Sequence, residues 1–141
     1  MKKIVVLSLV GLVLLTGCGK KTDNNNGTGN NGGKETPIAN TNEGIIQDKT
    51  VDGLQFTNAS LVYENGLSTL KVLVTNNTGS NYAVKNFKII AKDKNGNALH
   101  EEPIVGSVGD NGIKSGESKT ITGSIDVDLS KAVTLEYTPV K

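Results

Sequence analysis

Apolar and polar residues alternate along short segments of residues 45–141, with an apolar residue at every second position. Clear examples are the segments LKVLVT and FKIIAK. Successive side chains of a strand point to opposite faces of a sheet, so this alternation predicts β-strands with one buried face. The residues predicted to face inward in these two strands are Leu70, Val72, Val74, Phe87, Ile89 and Ala91.

Clusters of Gly and Asn separate the alternating segments, and this pattern predicts an all-β fold. We expect an immunoglobulin-like antiparallel β-sandwich of about seven strands. Asn95-Gly96 is predicted to form a hairpin turn, Gly123 a bulge, and Pro103 to lie in an edge strand. One helical turn is predicted at residues 128–132. The strands are predicted near residues 50–56, 59–64, 67–75, 84–93, 97–105, 117–127 and 132–138.

The amino-terminal segment is basic and then apolar. Two lysines follow Met1, and residues 4–15 are apolar apart from Ser8 and Gly11. A membrane-spanning helix needs about 20 apolar residues, whereas a run of about 12 is typical of a cleaved export signal. We therefore interpret residues 1–17 as a signal peptide.

The only cysteine of the chain, Cys18, directly follows this segment in the sequence Leu-Thr-Gly-Cys. This sequence resembles the lipobox of bacterial lipoproteins. The resemblance implies cleavage between Gly17 and Cys18 and a diacylglycerol, with fatty acids such as palmitate, on the Cys18 thiol. It also implies anchoring at the extracytoplasmic face of the cell membrane, for which two acyl chains suffice. A single cysteine excludes a disulfide within the chain.

Residues 18–44 consist mainly of Asn, Gly, Thr and Lys, with almost no large apolar residues. Such a tract does not bury enough apolar surface to offset the entropy cost of ordering. We predict that it is a flexible linker with a root-mean-square reach of about 25–30 Å. It would carry the β-sandwich domain of residues 45–141.

The charges that follow the predicted signal peptide nearly cancel. From Cys18 onward, 13 lysines stand against 14 acidic residues, which gives a net charge of −1, and the chain has no arginine and no tryptophan. Nucleic-acid binding is not expected, because a basic patch and the planar guanidinium group are both missing. The Lys- and Asn-rich, Arg-free composition favours a Gram-positive cell envelope.

Two segments within residues 54–137 together carry a resemblance to a known family: VLVTNNTGSNYAVKNFKIIAKDKNGNAL and IKSGESKTI. They resemble the FxLYD-type immunoglobulin-like domains of bacterial lipoproteins. Phe87 and Asp93 are present, but the Leu-Tyr-Asp sequence that names the family is not. The resemblance implies a β-sandwich scaffold in which Gly79 and Gly96 serve turns. It implies no reaction.

Few residues of the chain are suited to catalysis or metal binding. His100 is the only histidine, and we expect a surface position for it rather than general-base work. Asp126 and Asp128 would share the solvated face of a strand. The segment DKNGN begins like a calcium-binding loop, but the glycine and glutamate of that motif are out of place. We therefore expect no catalytic residue, no metal site and no cofactor.

The longest predicted connection is residues 106–118, which contains four glycines and no phosphate-binding pattern. Surface loops on a rigid scaffold commonly carry binding residues, so this connection is the predicted interaction loop. We expect a non-catalytic, lipid-anchored domain that binds an envelope protein or glycan. The alternative is a spacer or accessory domain of an envelope complex, and a hydrolase is the least favoured class. The candidate contact residues are Gly106, Asp110, Asn111, Lys114 and Glu117.

Overall fold

The structure, a computed structural model, describes residues 35–141. The predicted signal peptide, the lipobox with Gly17 and Cys18, and most of the predicted linker lie outside the described residues. In residues 35–141 no helix is long and apolar enough to cross a membrane. The elements there are β1 (Ile38–Asn40), α1 (Glu43–Ile46), β2 (Lys49–Val51), β3 (Leu54–Glu64), β4 (Leu67–Asn76), β5 (Asn86–Lys92), β6 (Ile104–Ser107), β7 (Ser118–Ile125) and β8 (Thr134–Val140).

The strands form two antiparallel sheets that share one hydrophobic core. In the larger sheet, β4 lies between β3 and β7, and β1 and β2 pair with opposite ends of β3. In the smaller sheet, β5 lies between β6 and β8. The predicted all-β antiparallel sandwich is therefore confirmed, and its described part has eight strands rather than about seven.

The strand order matches part of the immunoglobulin arrangement. β3, β4 and β7 occupy the positions of strands A, B and E, while β6, β5 and β8 occupy those of strands C′, C and F. Antibody domains join their two sheets with a disulfide packed against a tryptophan. This chain has one cysteine and no tryptophan, so its sheets are joined by other contacts.

Aromatic rings from three strands fill the centre of the core. The ring of Phe56 in β3 stacks on Tyr137 in β8 at a centroid distance of 4.2 Å, and it meets Phe87 in β5 edge-on at 5.3 Å. Such aromatic pairs contribute about 0.5–1.5 kcal/mol each beyond the burial of their area. The residues predicted to face inward in β4 and β5 are all buried around these rings.

Ordered structure begins before the predicted domain boundary at residue 45. β1 pairs with β3 and lies within the range predicted as linker, and α1 begins in that range at Glu43. The buried Asn40 side chain secures this segment: its Nδ2 donates to the Ala132 carbonyl at 2.8 Å, and its Oδ1 accepts the Asn42 N–H at 3.0 Å. A strand of three residues with one large apolar side chain is too short for alternation to reveal it.

The boundary predicted between the strands at residues 50–56 and 59–64 is wrong. They form the short β2 and one long strand, β3, which has a register shift between Thr57 and Ser60. Asn58 lies there with a φ of 54°. A bulge adds one residue to a strand, so the inward-facing positions change from even to odd numbers and the alternation is interrupted.

Two-residue turns close the hairpins at both ends of β3. Asp52 and Gly53 have φ values of 51° and 79°, and Asn65 and Gly66 have 51° and 82°. Positive φ at both central residues is the type I′ conformation, whose twist matches that of the flanking strands. Both pairs join adjacent strands of the larger sheet.

The chain turns at Asn95-Gly96 as predicted, but the strand predicted at residues 97–105 does not form. That segment makes one isolated bridge to β5, and β6 begins only after Pro103. In the turn only Gly96 has a positive φ. The Asp93 carboxylate accepts the backbone N–H groups of Asn95 and Asn97 at 2.8 and 2.9 Å.

The bulge predicted at Gly123 is absent, because β4 and β7 pair there in continuous register. Gly123 instead allows the two sheets to approach each other closely. A Cβ at this position would lie 2.6 Å from both Ile104 Cγ2 and the Val105 carbonyl oxygen. A Cβ at Gly106 would lie 3.3 Å from Ile121, so this predicted contact residue has a packing role in β6.

The helical turn predicted at residues 128–132 is also wrong. A β-turn forms there, in which the Ala132 N–H donates to the Leu129 carbonyl at 3.0 Å. The Asp128 carboxylate accepts the Ser130 N–H at 2.9 Å. Hydrogen bonds from Ser130 hold the pKa of Asp128 below its usual value, so the carboxylate that supports this turn stays ionised.

Candidate functional site

The predicted interaction loop lies at one end of the sandwich, beside the connection between β4 and β5. Backbone pairing places the start of β5 against the last residues of β6 and β8, and β4 ends next to the start of β7. We call residues 77–85 and 108–117 together the loop end. It is the part of the domain where the connection from β4 to β5 meets the connection from β6 to β7. The predicted interaction loop is not the longest connection of the described chain, because residues 93–103 between β5 and β6 form a longer one at the opposite end.

The two connections of the loop end are hydrogen-bonded to each other through their backbones. The Tyr82 N–H donates to the Ile113 carbonyl at 2.9 Å, and the Ile113 N–H donates to the Tyr82 carbonyl at 3.0 Å. The Val108 N–H donates to the Lys85 carbonyl at 2.9 Å. Ile113 is fully buried, so the predicted interaction loop contributes to the hydrophobic core.

The buried side chain of Asn76 forms hydrogen bonds to both connections. Its Nδ2 donates to the carbonyl oxygens of Ser80 and Ile113, each at 2.8 Å. Its Oδ1 accepts the backbone N–H of Thr78 at 3.0 Å and the hydroxyl of the same residue at 2.7 Å. A side-chain amide offers two donor hydrogens and two acceptor lone pairs, so all of its hydrogen-bonding capacity is used.

A lysine of β7 holds the tip of the predicted interaction loop in place. The Lys119 Nζ donates to the carbonyl oxygens of Val108 at 2.9 Å and Gly112 at 2.7 Å. Between these two points the Gly112 N–H donates to the Gly109 carbonyl at 3.3 Å and closes a turn. The tip, residues 110–111, is thereby held in one position on the surface.

The remaining residues predicted for the interaction loop separate into two groups. Lys114 and Glu117 close a turn on each other: the Lys114 N–H donates to the Glu117 carboxylate at 2.7 Å, and the Glu117 N–H donates to the Lys114 carbonyl at 3.0 Å. Asp110 and Asn111 are exposed at the tip. Of the predicted contact residues, these two are the ones whose side chains are presented to solvent at the tip.

A small hollow lies beside this tip. Its charged lining residues are Lys85, Lys141 and Asp110, and one of its apolar lining residues, Val84, is buried. Such a site donates hydrogen bonds to anionic or carbonyl oxygens and accepts them at its carboxylate. Its lining contains no histidine, cysteine or hydroxyl group. The complete lining is Ala83, Val84, Lys85, Asp110, Asn111 and Lys141.

Tyr82 is a residue of the loop end that the sequence did not single out. Its hydroxyl donates to Asp52 Oδ2 at 3.2 Å, and the Lys141 Nζ lies 5.9 Å from the centre of its ring. Burial, together with the nearby Asp52 charge, raises the pKa of Tyr82 above its usual value. An aromatic residue within a connection rich in Gly, Ser and Asn was the available signal, because tyrosine is enriched at binding surfaces.

The other candidate residues lie at the opposite end of the sandwich. His100 Nδ1 accepts the Glu102 N–H at 3.2 Å and so supports the bend before β6. His100 and Asp126 line a second hollow, whereas Asp128 faces its own turn, so the two aspartates have separate surroundings. Within residues 35–141, no group of three or more His, Cys, Asp or Glu residues is arranged to hold a metal ion.

The described chain enters the sandwich at the end opposite the loop end. Ile38, the first residue of β1, pairs with Tyr63, whereas Leu54 at the other end of β3 pairs with Asn76. Tyr63 and Leu54 are nine positions apart on β3. This separation corresponds to about 30 Å along a strand.

The described residues form an antiparallel β-sandwich with an ordered loop end, and they do not include the predicted signal peptide or lipobox. The resemblances to a lipobox and to FxLYD-type domains rest on the quoted sequence segments, because no protein-family model, no curated protein and no solved structure matches this chain.

Proposed function

We propose that this chain is a bacterial lipoprotein, held at the extracytoplasmic face of the cell membrane through Cys18. The observation that carries the proposal is the sequence order at the amino end: two lysines, a short apolar run, and then Leu-Thr-Gly before the only cysteine. The length of the apolar run fits an export signal and is too short for a membrane-spanning helix. The lipid is the partner that this arrangement requires.

We further propose that the β-sandwich is a non-catalytic binding domain that uses the loop end. Two features of the described residues support this proposal. The loop end is fixed by buried hydrogen bonds, so a ligand would not have to order it on binding. It also lies about 30 Å along β3 from the point where the described chain enters, and it would therefore be presented away from a membrane-bound amino end.

The partner that fits the hollow is an envelope protein or a glycan that carries carbonyl, carboxylate or phosphate oxygens. Lys85 and Lys141 would donate to these oxygens, and Asp110 and Asn111 would pair with hydroxyl or amide hydrogens. The proposal requires no cofactor and no nucleic acid. A Gram-positive envelope is the setting that the composition favours.

The anchoring part is tested by the variant Cys18→Ala, followed by separation of membrane and soluble fractions. We expect the wild-type chain in the membrane fraction and the variant in the soluble fraction, because the anchoring thiol is removed. Thr28→Ala, which lies in the predicted linker, is the matched control and should remain in the membrane fraction. A Cys18→Ala variant that stays membrane-bound would contradict the anchoring proposal.

The binding part is tested by cross-linking intact cells that express matched variants and identifying the protein or glycan joined to the chain. Asp110→Ala removes one exposed carboxylate at the loop end, whereas Glu101→Ala removes one exposed carboxylate at the opposite end. Loss of a cross-linked partner in Asp110→Ala alone supports binding at the loop end. Equal cross-linking by both variants contradicts it, and no partner in any sample favours the spacer function.

A further inference from the structure

Three Asn-Gly dipeptides lie in turns of the described domain, at residues 65–66, 95–96 and 111–112. In this dipeptide the backbone nitrogen of the glycine can attack the side-chain amide of the asparagine. Glycine has no side chain to hinder the attack and allows the backbone rotation that it needs. The environment of each glycine nitrogen then determines which of the three sites reacts first.

The glycine nitrogens of two sites are engaged in hydrogen bonds. The Gly96 N–H donates to the Asp93 carbonyl at 3.1 Å, and the Gly112 N–H donates to the Gly109 carbonyl at 3.3 Å. Gly112 is also buried. Each of these hydrogen bonds must break before the nitrogen can attack, which slows the reaction by severalfold to about tenfold per bond.

The third site has an open glycine nitrogen. No group within residues 35–141 accepts the Gly66 N–H, and both Asn65 and Gly66 are exposed. A Cβ built on Gly66 would have no atom within 4 Å, so the peptide has room to rotate. Asn95 and Gly96 are also exposed and have the same open space, so the turn at residues 65–66 differs from theirs in its unbonded glycine N–H. It differs from the turn at residues 111–112 in the exposure of its glycine as well.

We infer that Asn65 is a site of spontaneous deamidation and the first of the three to react. The Gly66 nitrogen loses its proton to hydroxide and attacks Asn65 Cγ. The new N–Cγ bond forms, the Cγ–Nδ2 bond breaks, and ammonia leaves, so that a five-membered imide results. Water then opens the imide at either carbonyl and leaves an aspartyl or an isoaspartyl residue at position 65.

The product changes the hairpin that joins β3 and β4. A new carboxylate appears next to Glu64, where two like charges repel each other. The isoaspartyl product also adds one carbon atom to the backbone of a turn whose geometry depends on two residues. The reaction thus loosens the closed end of the longest strand pair in the larger sheet.

The test incubates the purified full chain in mildly alkaline buffer and follows each site by peptide mapping and mass spectrometry. A parallel sample in urea removes the folded environment. Asn65→Gly eliminates the site while keeping a residue suited to positive φ, and Asn95→Gly is its matched control.

The inference predicts that in the folded chain position 65 is converted severalfold faster than positions 95 and 111, and that the three rates converge in urea. Asn65→Gly should abolish the fastest conversion, and Asn95→Gly should leave it unchanged. Equal rates in the folded chain, or faster conversion at position 95 or 111, would overturn the inference. A preference for position 65 that persists in urea would also overturn it, because the fold would not be its cause.

Discussion

The side-chain amide of Asn76 donates a hydrogen bond of 2.8 Å to the carbonyl oxygen of Ile113, 37 residues further along the chain. This bond joins the end of β4 to the predicted interaction loop. The loop is therefore an extension of the core, and its exposed tip has a position that depends on a buried side chain. The shape of the candidate site can be tested through this residue without changing any group on its surface.

Replacing Asn76 with alanine should lower the free energy of unfolding by about 2–4 kcal/mol, because several buried backbone groups would lose their partners. The change should also increase hydrogen exchange in residues 77–85 and 108–117. Urea unfolding measures the first effect and amide exchange the second. The neighbouring Asn77 is exposed, with a side-chain bond to Gln55, so Asn77→Ala should change stability by no more than about 0.5 kcal/mol. Equal effects of the two substitutions would contradict the role assigned to Asn76.

Asn40 provides the corresponding test for the beginning of the domain. Asn40→Ala removes the hydrogen bond to Ala132 and should cost about 1–3 kcal/mol. Residues 35–51 should then become susceptible to limited proteolysis before the rest of the sandwich. Asn42→Ala is the matched control, because that residue is exposed and makes no side-chain capping bond. If protease cleaves both variants at the same rate, β1 and α1 are not held by Asn40.

The close approach of the two sheets predicts a large effect at Gly123. Gly123→Ala would place a methyl group 2.6 Å from the Val105 carbonyl oxygen, so β6 or β7 must shift. We expect a loss of about 1–3 kcal/mol in thermal or urea unfolding. Thr122→Ala changes the exposed residue that precedes Gly123 in the same strand, and it should change the free energy of unfolding by no more than about 0.5 kcal/mol. A neutral Gly123→Ala variant would mean that the sheets are further apart than the structure indicates.

Tyr137 should make the stability of the domain depend on pH in the alkaline range. Burial raises the pKa of its hydroxyl above the usual value of about 10. Below about pH 10 the folded and unfolded chains both keep this proton, and its contribution to stability is fully present. Above that pH the unfolded chain releases the proton first, so the contribution falls as the pH rises toward the raised folded pKa. Urea unfolding at several pH values should show a shallower alkaline loss for Tyr137→Phe, and an unchanged slope would contradict this assignment.

Much of the fold could be predicted because strand alternation is a local property of the sequence. Leu70, Val72 and Val74 alternate without interruption, and all three are buried as predicted. The errors lie where a local signal is ambiguous. At Asn58 a bulge reverses the alternation. Residues 97–105 follow the turn at Asn95-Gly96 and include apolar residues, but before β6 begins they make only one isolated bridge to β5.

The candidate site was less predictable because its contacts join distant parts of the chain. Asp110 and Asn111 could be selected as the polar tip of a glycine-rich loop, and they are exposed. Lys114 and Glu117 have the same polar character, yet they close a turn on each other. The part played by Tyr82 depends on Asp52 and Lys141, which no spacing rule connects to it.

The central claim is that Cys18 anchors this domain to a lipid membrane. Mass spectrometry of the amino-terminal peptide, released by protease from the membrane-extracted mature chain, tests it most directly. We predict a peptide that begins at Cys18 and carries a diacylglycerol on the thiol. An uncleaved chain with an unmodified Cys18 thiol, or a mature chain that begins after Cys18, would contradict the claim.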